Sequence, residues 1–299
     1  MTKKILITGG RGFIARSLYE YLSNYYFIPL ENNIHCLGRQ ELDLLSSKGV
    51  FSYIKKNQFD VVIHTANYDA VPEFTDKNPG QVLEKNLKMF FNIARCKDYF
   101  GKMIYFGSGA EAGRENWIPK MTEEYIDRHI PNDQYAYSKY IMNEYTKLSD
   151  NIYNLRLFGL FGKYDDWRYR FISNACCKAL LKKPIVIKQN VFFDYTYIDD
   201  FVEIVRWFIE NKPTRNVYNI CTGKQYDYLT LANKINNILE YDVDISVETS
   251  GLGKEYSGDN SLLQAEINHK FRNIDDSINN LYCWYENNKN IIREELFVY

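Results

Sequence analysis

The chain has 299 residues, 45% of them apolar and 25% charged, with a formal charge of −1, enough for one large α/β domain and a smaller lobe. It lacks the basic excess with which proteins neutralise a phosphate backbone, so nucleic acid is not an expected partner. No uninterrupted apolar run reaches the about 20 residues of a membrane span, and the first strand follows without a basic-then-apolar leader, so a cytoplasmic location is expected.

In chain order, the pattern predicts a strand at Lys4 to Thr8, a helix from Gly12, a strand at Ile34 to Gly38, a helix near Ser46 to Asn57, and a strand at Asp60 to His64. It continues with a helix from about Pro79 to Tyr99, a strand at Met103 to Gly107, a helix from about Gln134 to Ser149, and a strand at Ile152 to Phe158. Such alternation implies right-handed crossovers and a parallel sheet covered on both faces, a doubly wound nucleotide-binding architecture. After Gly162 the alternation loosens into segments such as "KYDDWRYRFIS". "VFFDYTYIDDFVEIVRWFI" then reads as strand followed by helix, and "NVYNICTG" as another strand. The expected division is a dinucleotide-binding domain at 1–160, with a return of the chain near 190–215, and a smaller α+β substrate lobe at 161–189 and 216–299. Ser250 to Asn260, rich in Gly and Ser, reads as a mobile loop.

Cys36, Cys96, Cys176, Cys177, Cys221 and Cys283 show no C-x-x-C spacing, which suits a reduced compartment. His35, His64, His129 and His269 are scattered without metal-ligand pairing, and no metal is expected. Tyrosine occurs 26 times; compositional bias accounts for that, and sugar or base stacking is the alternative.

The run "ILITGGRGFIARSL" brings a strand, a glycine turn and a helix together. Gly9 and Gly12 let the backbone turn tightly and bring N–H groups to a pyrophosphate, Phe13 and Ile14 open the helix behind it, and small Ala15 permits close packing in place of a further glycine. A free ribose 2′-hydroxyl is usually met by an acid about 20 residues on, and a 2′-phosphate by arginine. The next strand ends "CLGRQELDL", presenting Arg39, so Arg39 and Arg11 together favour NADP(H); Glu41 is the acid under a shifted register.

In "QYAYSKYIMNEY", Tyr135 and Lys139 are four apart and share a helix face. A phenol with an ordinary pKa near 10 needs lowering to exchange protons at neutral pH, the role expected of the Lys139 ammonium. "MIYFGSGAEAG" ends a strand at Ser108, placed to hydrogen-bond a substrate carbonyl beside Tyr135.

On these motifs, with "DVVIHTAN" ending at Asn67, Asn86, "FDYTYIDD" and, more loosely, "YNICTG", the chain resembles the extended short-chain dehydrogenase/reductase family, in its branch acting on nucleotide-linked sugars. "GRQELDLLSS" is similar to the matching stretch of GDP-L-fucose synthases and dTDP-4-dehydrorhamnose reductases. The resemblance implies that Arg11 and Arg39 lie near a 2′-phosphate and Asp43 near the adenine. It implies that Leu44, Thr65, Ala66 and Asn67 border the cofactor, and that Lys139 also holds the nicotinamide ribose. It further implies a homodimer through helices near Asn86 to Tyr99 and Gln134 to Ser149.

Departures from the family pattern narrow the chemistry. Sugar 4,6-dehydratases place an Asp-Glu pair after the residue matching Ser108, where this chain has Gly109 and Ala110, with Glu111 one residue out of register. GDP-fucose synthases carry a cysteine where Ala110 stands and a histidine in a segment that here reads "RLFGLFGKYDDWRYRF". Many relatives have Arg-Asp-Phe at Phe193-Asp194-Tyr195, the arginine gripping a diphosphate, and Asn at Gly159; Arg168 or Arg170 takes over the grip, or the substrate binds differently. The expectation is an NADPH-dependent C4 ketoreductase of a GDP-, CDP- or dTDP-linked 4-keto-6-deoxy hexose or heptose for surface polysaccharide. Catalysis would rest on Ser108, Tyr135 and Lys139, and substrate binding on Ser108, Arg168 and Arg170. A 4-epimerase with retained NAD and a non-catalytic nucleotide-binding protein are the alternatives.

Overall fold

The structure, a computed structural model, describes residues 3–26, 33–69 and 76–297. Its first half alternates β1 (Ile5–Thr8), α1 (Phe13–Tyr26), β2 (Ile34–Leu37), α2 (Ser47–Asn57), β3 (Phe59–His64), α3 (Val82–Ala94), β4 (Phe100–Ser108), α4 (Glu123–Ile126), α5 (Gln134–Lys147) and β5 (Ile152–Leu157). There follow β6 (Gly159–Phe161), α6 (Phe171–Leu180), β7 (Ile185–Asn190), β8 (Phe192–Tyr197), α7 (Ile198–Glu210), β9 (Val217–Ile220) and β10 (Gln225–Asp227). The chain finishes through α8 (Tyr228–Asn236), β11 (Ile245–Leu252), α9 (Ser261–Ile267) and α10 (Ile274–Asn287).

Six strands form one sheet in the order β2-β1-β3-β4-β5-β9, and every neighbouring pair is parallel. The fold is the doubly wound α/β architecture that the alternation predicts. Side chains of a strand alternate between faces: Ile5 and Ile7 enter one core with Leu18 of α1 and Phe201 and Val205 of α7, while Leu6 enters a second with Ile54 of α2 and Phe90 of α3. Both faces are thus covered, which a parallel sheet requires. β1 lies between β2 and β3 at the reversal of strand order, where ligands bind outside the carboxyl ends of such sheets.

Local chemistry sets the helix limits. Ser46 caps α2 by accepting from Gly49 N, and Asp133 caps α5 by accepting from Ala136 N at 2.9 Å. The helix expected across 79–99 is shorter: 3₁₀ turns occupy Pro79–Gln81 and Lys97–Tyr99 on either side of α3, because Cys96 N turns back to Ile93 O and tightens the end.

The second half differs from the expected division at both ends of the return, which begins with α7 rather than near 190. β8 pairs with β10 and β6 in a separate three-stranded sheet, but α7 returns to pack beside α1 and β9 extends the main sheet next to β5. The return therefore runs to Ile220 rather than ending near 215. A parallel pair, β11 with β7, completes the smaller lobe.

The mobile loop expected at Ser250 to Asn260 is corrected. β11 takes its first residues, and Tyr256 and Ser257 are buried. Tyr256 N donates to Phe192 O at 2.9 Å, Met121 N to Ser257 O at 3.1 Å, and Lys120 N to Ser257 Oγ at 2.7 Å. Here small polar residues allow close backbone approach rather than freedom: a Cβ on Gly258 would lie 2.5 Å from the Phe158 ring.

Candidate active site

Three strand ends meet at the carboxyl edge. After β1, Gly9 adopts φ +73°, and a Cβ there would fall 2.9 Å from Ala66 N, so only glycine lets this turn lie against the residues after β3. Gly10 N donates to Leu37 O and Gly12 N to Gly9 O. α1 then starts at Phe13 and Ile14 with N–H groups that have no intrahelical acceptor, a fit for a dinucleotide pyrophosphate. Thr65 Oγ1 donates to Thr8 O at 2.7 Å, locking the β3 end to the β1 end. Asn86 clamps the following backbone, accepting from Tyr68 N at 2.7 Å and donating to Tyr68 O at 3.1 Å; Asn67 is exposed beside it.

At the end of β2, Arg11 donates to the Gln40 side chain, and Arg39 lies 3.9 Å from Asp43 with most of its side chain exposed. Both guanidiniums are thus available to an anion. Glu41 turns back to accept from Gly38 N at 2.9 Å, which keeps a carboxylate at the same strand end. Leu44 does not face the turn: its side chain sits in the second core, and its carbonyl accepts from Asn92 at 2.8 Å.

Ser108, Tyr135 and Lys139 come together. Lys139 reaches from α5 across the end of β4 to donate to Phe106 O at 2.9 Å, and its ammonium stands 5.7 Å from the centre of the Tyr135 ring. Burial lowers Lys139 to about 8, against the opposing pull of Glu111 and Asp69. Burial pushes the Tyr135 phenol up to about 12, reinforced by Asp69, with Arg170 and the Ser108 hydroxyl acting the other way. Desolvation of the phenolate outweighs these neighbours. Tyr135 is a neutral O–H donor at working pH.

The Ser108 turn is held from behind. Ser108 N donates to Glu111 Oε1 at 2.9 Å, and Glu111, itself buried, pairs with the fully buried Arg156 of β5 at 2.8 Å. Arg156 also holds Asp127 at 2.9 Å. Glu111 is therefore a structural partner rather than a displaced dehydratase acid.

The two candidate substrate arginines part company. Arg168 is folded onto its neighbour Asp166, whereas Arg170 is within electrostatic reach of Asp165, Tyr169, Tyr135 and Asp69. At the position where many relatives carry the diphosphate arginine, the Phe193 ring stacks on Tyr195 at 5.5 Å and on Tyr228 at 5.3 Å. Sequence reasoning missed Tyr256, whose hydroxyl lies 3.2 Å from Ser108 Oγ; 148 residues apart, the two carry no common motif.

Among the described residues, one cluster has metal-ligand geometry, Asp200, Glu203 and His269. Arg272 already neutralises it, donating to Asp200 at 2.6 Å and Glu203 at 2.7 Å. His64 is buried against Thr8 Oγ1, and burial takes it down to about 3, so it stays neutral.

The sequence profile of the NAD dependent epimerase/dehydratase family matches residues 5–221, which takes in the glycine turn, Ser108, Tyr135 and Lys139. The chain belongs to that family. It is 26% identical to Protein CapI of Staphylococcus aureus over 94% of this chain and 98% of that protein. A GDP-L-fucose synthetase from Naegleria fowleri bound to NADP shares the fold, with a TM-score of 0.81 and 18% identity over 98% of this chain and 96% of the other. So does a GDP-mannoheptose C4 reductase from Campylobacter jejuni with NADP bound, with a TM-score of 0.80 and 20% identity over 95% and 98%. No described helix is long and apolar enough to cross a membrane.

Replacing Glu111 by Ala should leave the Arg156 charge half-paired in the core and cost about 3 kcal/mol of stability, read as a lower midpoint in urea unfolding.

Proposed function

We propose that the protein is an NADPH-dependent reductase acting at C4 of a nucleotide-linked 4-keto-6-deoxy sugar. The carrying observation is the convergence of Ser108, Tyr135 and Lys139 at the carboxyl edge of the sheet, with the Lys139 ammonium 5.7 Å from the centre of the Tyr135 ring. A bound nicotinamide would supply the hydride. Ser108 would hold the C4 carbonyl oxygen, and Tyr135 would give its proton to the alkoxide developing there. Lys139 would offset the resulting phenolate charge and, held on Phe106 O, hold the nicotinamide ribose. Gly9, Gly12, Phe13 and Ile14 would cradle the pyrophosphate. Arg11 and Arg39 would pair with the 2′-phosphate while Thr65, Ala66 and Asn67 border the cofactor, with Asp43 near the adenine. Arg170 would meet the substrate diphosphate. The simplest chemistry is favoured because positions 109 and 110 are Gly and Ala, and Glu111 is committed to Arg156.

One observation favours a second reading. Glu41 at the end of β2 is placed to meet a ribose 2′-hydroxyl, which would suit NAD and 4-epimerisation. Arg39→Ala separates the two: NADPH affinity should fall by about tenfold or more and NADH affinity hardly change, measured by fluorescence titration. An equal loss for both cofactors would sink the 2′-phosphate assignment.

Incubation with NADPH and a panel of GDP-, CDP- and dTDP-linked 4-keto-6-deoxy sugars should consume NADPH with at least one. Tyr135→Phe should lower kcat by about 10²-fold or more while NADPH still binds. Consumption of none, with cofactor binding demonstrated, overturns the reading.

The two shifted groups set the pH dependence. Lys139 is charged below about 8, and Tyr135 holds its proton up to about 12, so kcat should be level through neutrality. It should fall as pH rises through the Lys139 value, where the charge supporting the phenolate is lost. A pH–rate profile of kcat that instead rises on the alkaline side would contradict this assignment.

A further inference from the structure

Ser108 has two phenols beside it. Tyr135 lies on α5, close enough for Ser108 to act on its phenol, and Tyr256 OH stands 3.2 Å from its Oγ, reaching in from the segment after β11. Tyr256 is held on all sides. Its ring packs against Trp117 at 4.3 Å, Phe158 at 5.1 Å and Phe193 at 5.2 Å. Its backbone N donates to Phe192 O at 2.9 Å, and its carbonyl accepts from Asp194 N at 3.2 Å. Such a side chain has little freedom to move its hydroxyl away.

Hydrogen-bond arithmetic limits which oxygen donates, and the shorter contact favours Tyr256 giving its hydrogen to Ser108. A serine hydroxyl has one hydrogen and two lone pairs. Ser108 Oγ already accepts from Ala110 N at 3.2 Å. Burial and nearby negative charge keep the Tyr256 phenol neutral, so it carries one hydrogen, for which Ser108 Oγ at 3.2 Å and Leu157 O at 3.4 Å are the acceptors. Given to Ser108, it fills the second lone pair, and the serine hydrogen points to whatever lies on the Tyr135 side.

We propose that Tyr256 is a positioning residue for the reduction: its phenol donates to Ser108 Oγ and reserves the Ser108 hydrogen for the Tyr135 oxygen and the reacting carbonyl. This rests on the reductase reading above. As the Tyr135 O–H bond breaks and the new O–H bond at C4 forms, the charge left on the Tyr135 oxygen is met by the Ser108 hydrogen. That donor is strengthened by the Tyr256 O–H behind it, since hydrogen bonds in a chain polarise one another. No proton leaves Tyr256, and none is gained or lost by the chain beyond the one Tyr135 delivers.

Tyr256→Phe keeps the ring and removes only the hydroxyl. Thermal melting and NADPH titration should show a folded, cofactor-binding protein. We expect kcat to fall about threefold to tenfold, the effect of one hydrogen bond, with KM changed less than about twofold. The alkaline limb of kcat, which Lys139 sets, should stay in place, while an unsupported Tyr135 becomes a weaker acid. In a Ser108→Ala background the same substitution should change kcat by less than about twofold, since the chain is already cut. A second measurement needs no substrate: in protein labelled with 3-fluorotyrosine, the Tyr135 fluorine resonance, assigned through Tyr135→Phe, should titrate at higher pH in Tyr256→Phe than in the unsubstituted chain. If no 4-keto sugar is turned over, the reductase reading fails and this titration still decides the Tyr256 assignment. An unchanged Tyr135 titration, or a rise in KM with kcat intact, would overturn it and leave Tyr256 as a wall of the cleft.

Discussion

The buried Arg156 guanidinium is the interaction on which the rest of the site depends. From the middle of β5 it pairs with Glu111, which holds Ser108 N, and with Asp127, which accepts from Asn143 of α5. Asn143 in turn accepts from Asn154, whose side chain receives Gly107 N. The strand end carrying Ser108 and the helix carrying Tyr135 and Lys139 are thus fixed to each other through one charge network and one amide relay. A buried charge with a partner missing is severely penalised, so the network tolerates one arrangement of these two elements. Reaction geometry inherits that intolerance as precision.

Burial sets the chemistry of the centre as much as it sets its shape. The same exclusion of water lowers Lys139 and raises Tyr135, driving apart on the pH scale an ammonium and a phenol that titrate close together in water. At neutral pH this leaves a charged lysine beside a protonated tyrosine, the pairing that a proton-delivering reaction calls for. The lysine does not create the acid; it meets the charge once the acid has acted.

Much of this was legible in the chain because it is local. The glycine turn, the Tyr135 and Lys139 spacing and the placement of Ser108 at a strand end each lie within a dozen residues, and periodicity with cap chemistry sufficed to place them on a parallel sheet. What was illegible is long-range. Ser250 to Asn260 read as a loop because its composition signals backbone freedom, whereas the structure uses its small residues to let Tyr256 and Ser257 sit close to Ser108 and Lys120. Arg168 and Arg170 were indistinguishable as a pair of charges two residues apart; only the fold shows one spent on Asp166 and the other within electrostatic reach of Tyr135.

The Phe193 stack carries a consequence for how the cleft selects. A guanidinium at that position would draw any polyanion from a distance and weaken as salt screens it. A ring packed face to face with Tyr195 and Tyr228 has no reach, and its attraction acts only at contact, through area and polarisable surface. Recognition at that wall is therefore decided after arrival rather than during approach, and is nearly indifferent to ionic strength. Long-range attraction on this side of the Ser108–Tyr135 centre then falls chiefly to Arg170.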